Sequence, residues 1–297
     1  GFPPDVCQLL PGRGEEIGDF VVEHPQVHVI AFTGSREVGL AILAKAARLA
    51  PGQTHVKRVV CEMGGKNAII VDADADLDDA VVQIIHSAFG YQGQKCSACS
   101  RLIAVGNVHD RLVERLAAAL ETYRLGPPED PRCVFGPVIT HAAQEKARAY
   151  LDVGRSEGRL YYQGRAPGGG YYVAPTIFTG IEPQHRLARE EIFAPILAVL
   201  RAERFERALE IALDSDYALT GGVFSRLPQH LELARERFHV GNLYLNRRIT
   251  GALVAAQPFG GVKLSGTGIQ AGGPDYLKQF LSTRVVSENT MRHGFVP

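Results

Sequence analysis

Short apolar runs alternate with helix-spaced apolar positions over the first 71 residues, a pattern that specifies a parallel sheet covered by helices. Residues 6–10 read as a strand, 15–23 as a helix and 27–32 as a second strand. Over 36–49, Val38, Ile42, Lys45, Ala46 and Leu49 recur about once per helical turn, and 56–61 follows as the next strand. The unit of strand, glycine turn and helix N-terminus is therefore expected twice. A second α/β region opens near Gly64, with a strand over 68–71, a helix over 76–89, a loop around Cys96, and helices near 108–122, 140–156, 204–213 and 228–237. Further strands interleave with these, and 126–131 and 167–170 have the composition of surface turns. The apolar segment 280–286 fits either an edge strand that pairs with another subunit or a strand inside the monomer. Residues 5–10 would be a buried strand with no preceding neighbour, so a segment upstream of Gly1 is expected.

Composition narrows the function. At 297 residues the chain can bury a core of two ordinary domains. Acidic and basic residues balance at 32 each, with no long run of one sign, so neither nucleic acid nor an anionic membrane is an expected partner. No apolar stretch approaches the roughly 18 to 20 residues that span a bilayer, and the first residues lack the basic and apolar regions of a signal peptide. The expected location is the cytoplasm, with an organelle matrix as the alternative. Five cysteines, at 7, 61, 96, 99 and 133, form an odd set that suits a reducing compartment. Cys96 and Cys99 make a C-x-x-C pair without a second pair or a histidine cluster, so no metal site is expected.

Several stretches carry candidate chemistry. Phe32-Thr33-Gly34-Ser35 lies between a strand and a helix, where free N–H groups and the helix dipole attract phosphate; taken alone, a plain N-cap with Gly as a turn residue is the preferred reading. Pro11-Gly12-Arg13-Gly14-Glu15-Glu16-Ile17-Gly18 is a similar glycine-punctuated turn, not a G-x-G-x-x-G fingerprint. Glu62-Met63-Gly64-Gly65-Lys66 puts a carboxylate at the carboxyl end of a strand, where α/β sheets gather ligands, with glycines that allow close backbone approach; a solvated carboxylate is the alternative. In Gln92-Gly93-Gln94-Lys95-Cys96-Ser97-Ala98-Cys99-Ser100-Arg101, small and polar neighbours suit a thiol near a cleft surface, and Lys95 could lower its pKa. Inert packing remains the alternative for Cys96 and the preferred reading for Cys99, one helical turn on. Glu191 and Phe193 of Glu190-Glu191-Ile192-Phe193-Ala194-Pro195 could meet a ribose and a planar ring, or form a solvated acidic turn. Thr250-Gly251-Ala252 and the loop 257–266 could bind a carboxylate through backbone amides, or be ordinary turns.

Taken in order, F-T-G-S, E-M-G-G-K, G-Q-K-C, E-E-I-F-A-P and P-F-G-G-V-K-L-S-G resemble the aldehyde dehydrogenase superfamily over nearly the whole chain, starting in the middle of its cofactor domain. The text around Cys96, residues 238–244, Asn246-Arg247, Ile249-Thr250-Gly251-Ala252-Leu253 and the tail 272–277 resembles the 1-pyrroline-5-carboxylate (glutamate semialdehyde) dehydrogenases most; general aldehyde dehydrogenases lack the T-G-A-L wording. The resemblance implies an α/β fold with a partial Rossmann-type cofactor domain (1–63), an α/β catalytic domain (64–266) and a C-terminal segment (267–297) with an oligomerisation strand. It implies Cys96 as nucleophile and Glu62 as base. Gly14, Gly18, Gly34, Ser35 and Val38 resemble contacts to the pyrophosphate and adenine, and Thr33, Met63, Gly64, Glu191 and Phe193 contacts on the nicotinamide side. Lys95, Ser97, Gly251, Ala252 and Phe259 resemble the substrate pocket. The implied cofactor is NAD, with NADP as the alternative, the implied partner a small-molecule substrate, and the implied assembly a homo-oligomer. The implied reaction converts glutamate 5-semialdehyde to glutamate in proline catabolism. Other implied readings are a different semialdehyde substrate, the last part of a fused proline-oxidising protein, or a chain that alone is an inactive structural module. Ala194 stands where many relatives have Gly, and Met63 where many have Leu. The family's oxyanion asparagine and a ribose-binding lysine would lie upstream of Gly1.

Overall fold

The described residues form four sheets, of which a two-stranded one and a seven-stranded one are joined at Glu62 and the other two are short two-stranded pairs. The computed structural model describes residues 1–290 and 294. Helix α1 (Asp19–Glu23) leads to strand β1 (Val29–Thr33), helix α2 (Arg36–Ala46) and strand β2 (Arg58–Glu62). β1 and β2 pair in parallel, with Thr33 opposite Glu62, so the turn after β1 and the carboxylate ending β2 emerge side by side. Ser35 caps α2 by accepting from the Val38 N–H at 3.3 Å, and the Gly34 N–H donates to the Glu62 carbonyl at 3.0 Å.

From Glu62 the chain crosses through Met63-Gly64-Gly65-Lys66 into the larger sheet. In chain order there come β3 (Asn67–Val71), α3 (Leu77–Phe89), β4 (Cys99–Val105), α4 (Val108–Leu120), the separate short pair β5 (Arg124–Leu125) and β6 (Cys133–Phe135), and α5 (His141–Glu157). There follow β7 (Arg159–Gln163), β8 (Thr176–Thr179), α6 (Arg186–Arg189), β9 (Ile196–Ala202), α7 (Phe205–Leu213), β10 (Tyr217–Ala218), β11 (Thr220–Phe224), α8 (Pro228–Arg237), β12 (Asn242–Leu245) and β13 (Val262–Lys263). Seven strands pair in the order β12-β11-β3-β4-β9-β8-β7, parallel throughout except for β7. The central strands read as continuous apolar runs because both faces are covered. Successive side chains then feed opposite cores: Ile70 and Ile103 pack with α5, α7 and α8, while Ile69 and Leu102 pack with α3 and α4.

Three expectations need correction. Residues 6–10 form no strand; Pro4–Val6 makes a 3-10 turn, and Val6, Leu9 and Leu10 are exposed. Prolines at 3, 4 and 11 fix φ on either side of the run, and no strand among the described residues pairs with it. The strand, glycine turn and helix unit consequently occurs once at this end, from β1 to α2. Helix α2 stops at Ala46 and not at 49; Leu49 is exposed and adds nothing to the helix's buried face. Residues 281–286 make no strand with the rest of the chain; a 3-10 turn, Tyr276–Phe280, precedes them, and Val285 and Val286 are exposed. Among the described residues no helix is long and apolar enough to cross a membrane, and no cluster of three or more His, Cys, Asp or Glu side chains is placed to hold a metal ion.

Candidate active site

Cys96 sits in the connection from α3 to β4, where the backbone is unusual. Tyr91, Gln92 and Gly93 adopt φ of 58°, 57° and 65°, which costs most for the two residues with side chains. At Gly93 a Cβ would lie 2.5 Å from the Ala194 carbonyl oxygen, so the left-handed turn and the close packing both require glycine. Cys99 begins β4 and is fully buried, with no helix between it and Cys96; burial pushes its thiol up to about 12, as suits a packing residue.

Glu62 and Cys96 line one cavity of about 600 Å³ together with Thr33, Gly34, Ser35, Met63, Gly64, Glu191, Phe193 and Phe259. Burial raises the Glu62 carboxyl from 4.5 to about 7, which places a half-buried base near neutrality. The Cys96 thiol is pushed above its ordinary value by burial first and then by the Glu191 and Glu62 carboxylates, against the N–H groups of Ser97 and Cys96, which favour thiolate. Lys95 is not what tunes it: the side chain is exposed and its ammonium lies 5.6 Å from the centre of the Tyr91 ring. Glu191 is raised by burial, while its Oε1 accepts from the Gly65 N–H at 3.0 Å. A Cβ at Gly64 would lie 2.0 Å from that carboxylate, so the glycine is a condition of the contact.

A second cavity of about 650 Å³ opens beside α2, lined by Gly14, Gly18, Val22, Phe32, Val38, Ala41 and Ile42 among others. Its apolar walls flank the same helix whose capped N-terminus borders the Cys96 cavity. The two cavities and the backbone turn between them, with Gly34 and Gly64 at the first, where a Cβ would clash with Phe32 and Glu191, fit an extended dinucleotide with one flat apolar end. Thr33, Gly34, Ser35, Met63, Gly64, Glu191 and Phe193 would hold the end near the thiol, and Gly14, Gly18 and Val38 the other. Phe193 adopts φ of 62° and is partly exposed, a strained placement that keeps its ring at the cavity wall.

The residues expected to hold substrate divide. Phe259 lines the Cys96 cavity. Ser97 is buried and absent from that cavity's lining, and Lys95 borders a separate small void. Gly251 and Ala252 lie in an exposed loop and are not among the residues lining the cavity; Gly251 has φ of 81°, with the Arg248 guanidinium beside it.

Sequence reading missed three contributors. Lys146 of α5 reaches the cavity and donates to the Glu191 carbonyl at 3.0 Å; only the helix's orientation on the sheet distinguishes it from other surface lysines. Arg101, fully buried, donates to the carbonyls of Lys66, Ile211 and Ala212 at 2.8 to 3.0 Å, tying the Glu62 to Lys66 crossing to α7. Lys66 is itself buried with no hydrogen bond to Nζ, and burial lowers it to about 7.

The family model described as "Aldehyde dehydrogenase family" matches residues 1–286. A 1-pyrroline-5-carboxylate dehydrogenase of Bacillus subtilis (strain 168) is 49% identical over 289 residues, covering 97% of this chain and 56% of that protein. The chain thus spans about half the length of the curated relatives it matches. Among solved structures, proline utilization A (PutA) from Bdellovibrio bacteriovorus has a TM-score of 0.96 at 49% identity, covering all of this chain and 31% of that one. The 1-pyrroline-5-carboxylate dehydrogenase from Thermus with bound NAD has a TM-score of 0.92 at 52% identity, covering 95% of this chain and 55% of that one.

Proposed function

The chain belongs to the aldehyde dehydrogenase family, and from that membership we propose that the protein carrying it oxidises glutamate 5-semialdehyde, the open form of 1-pyrroline-5-carboxylate, to glutamate with NAD, as a step of proline catabolism. The observation that carries this reading is that a thiol and a carboxylate raised to about 7 share one cavity bordered by a helix N-terminus. The substrate and cofactor are supported by relatives named for that activity and by the NAD-bound neighbour.

Pyrroline-5-carboxylate opens by hydration. The Cys96 thiol gives its proton to solvent, its sulfur attacks the aldehyde carbon to give a thiohemiacetal, and the Cys96 N–H donates to the oxyanion. Held at the cavity lined by Thr33, Glu191 and Phe193, an oxidised nicotinamide would supply the hydride acceptor for the thiohemiacetal carbon. The remaining thioester is attacked by a water whose proton Glu62 takes, releasing glutamate and the Cys96 thiolate. The roles of Cys96 and Glu62 conflict if both are ionised in the free protein, since each charge disfavours the other. A neutral Glu62 during thiolate formation, ionising before hydrolysis, removes the conflict.

The test compares NADH formation by the full protein on glutamate semialdehyde and succinate semialdehyde. Preference for the former is expected; equal or reversed rates overturn the substrate assignment. A second reading, that the chain is the aldehyde-oxidising part of a fused proline-oxidising protein, is favoured by the match to PutA over the whole chain. Proline-dependent electron transfer by the full protein separates the two. Homo-oligomerisation and a cytoplasmic location complete the proposal; exposed Leu277, Leu281, Val285 and Val286 support the former, which sedimentation of the full protein tests.

A further inference from the structure

The loop that carries Cys96 is held from below by a side chain outside the cavity. Asn67 begins β3, and the β3–β4 register slips there: Asn67 pairs with Cys99, whereas Ala68 pairs with Arg101. Such bulges re-aim a side chain next to a site. Buried Asn67 points its amide at the loop: Nδ2 donates to the Cys96 carbonyl at 2.7 Å and to the Ala98 carbonyl at 2.9 Å, while Oδ1 accepts from the Thr220 N–H at 3.0 Å. Thr220 Oγ1 donates to the intervening Ser97 carbonyl at 3.3 Å. Three consecutive carbonyls are therefore fixed from one side. At Gly65 a Cβ would lie 2.7 Å from both Asn67 Oδ1 and the Cys96 oxygen, so the clamp closes only over glycine.

We propose that Asn67 is a positioning residue for the Cys96 thiol, fixing the Cys96–Ser97 peptide so that its N–H faces the sulfur. In a trans peptide the C=O and N–H point in opposite directions, so anchoring the Cys96 oxygen on Asn67 directs the Ser97 N–H the other way, toward the side chain of Cys96. That N–H is one of two that stabilise the thiolate against burial and two carboxylates. An amide is required because the position needs two donor hydrogens and an acceptor; a carboxylate would face two carbonyls.

This inference rests on reading Cys96 as the nucleophile, yet its test does not use dehydrogenase activity. In the full protein, Asn67→Ala and Asn67→Ser are compared with wild type by iodoacetamide alkylation of Cys96 across pH, read by mass spectrometry of the peptide containing it. Both substitutions are neutral, so no new charge acts on the thiol. The expected result is alkylation slowed about tenfold near neutrality, with a midpoint about one pH unit higher and rates converging with wild type once the thiol is fully ionised. A profile that coincides with wild type overturns the proposal, and so does a slowing that persists undiminished at high pH, which marks general damage to the loop. Thr220→Val is expected to shift the profile in the same direction by about twofold. Should neither Asn67 variant fold, an unshifted Thr220→Val profile overturns the proposal. If Cys96→Ser were to retain NADH formation, the nucleophile assignment would fail while the alkylation result still stood.

Discussion

Replacing Glu62 by glutamine separates two consequences of one buried carboxylate. Its rise from 4.5 to about 7 amounts to about 3 kcal/mol against the ionised form, and because the group is only half-buried, solvent screening reduces this to about 1–2 kcal/mol. An acid whose folded pKa is raised destabilises the fold only where the unfolded chain would be ionised. The penalty is absent below 4.5, grows through the interval and is complete above about 7. The Glu62→Gln protein should therefore match wild type in urea unfolding at pH 4 and exceed it by about 1–2 kcal/mol at pH 8. Catalysis should respond oppositely. Wild-type hydrolysis of the thioester should climb between pH 6 and 8, as the ionised fraction goes from about one tenth to about nine tenths. Glu62→Gln should give a burst of about one NADH per site, then a steady rate about 10²- to 10³-fold lower without that pH dependence. Stopped-flow NADH absorbance in the full protein measures both phases. A steady rate equal to wild type, or a wild-type profile already flat above pH 5, would refute the assignment.

Three further outcomes follow from single contacts. Cys96→Ser should abolish NADH formation while dinucleotide binding, followed by fluorescence titration, is retained. Gly64→Ala places a Cβ where the Glu191 carboxylate now sits, so it should expel Glu191 from the Gly65 N–H and weaken dinucleotide affinity by about tenfold, with little change in the unfolding midpoint. Arg101→Met leaves three buried carbonyls without donors and should cost about 3–5 kcal/mol in denaturant unfolding; a loss under 1 kcal/mol would show that water replaces the guanidinium.

Local pattern made much of the molecule legible. The strands around 68–71 and the helices near 76–89, 108–122 and 204–213 follow from apolar periodicity that no tertiary contact opposes. The same logic failed at 6–10, where an apolar run between prolines meets no neighbouring strand, because a strand is defined by its partner and not by its own composition. Glu62 and Cys96 could be nominated from small, polar and glycine-rich surroundings.

Their meeting in one cavity was decided by pairing. Register puts Thr33 opposite Glu62, the crossing to β3 turns that carboxylate toward the α3–β4 loop, and the depth of the cavity lifts its pKa. Lys146, Arg101 and Asn67 carry no local signal, since what distinguishes each is the carbonyl it reaches across the fold. The sequence by itself determined which segments are helix and strand and which side chains have reactive chemistry, because both depend on near neighbours. Only the tertiary structure decided burial, and with it the charge each group carries, because desolvation is imposed by residues far away in the chain.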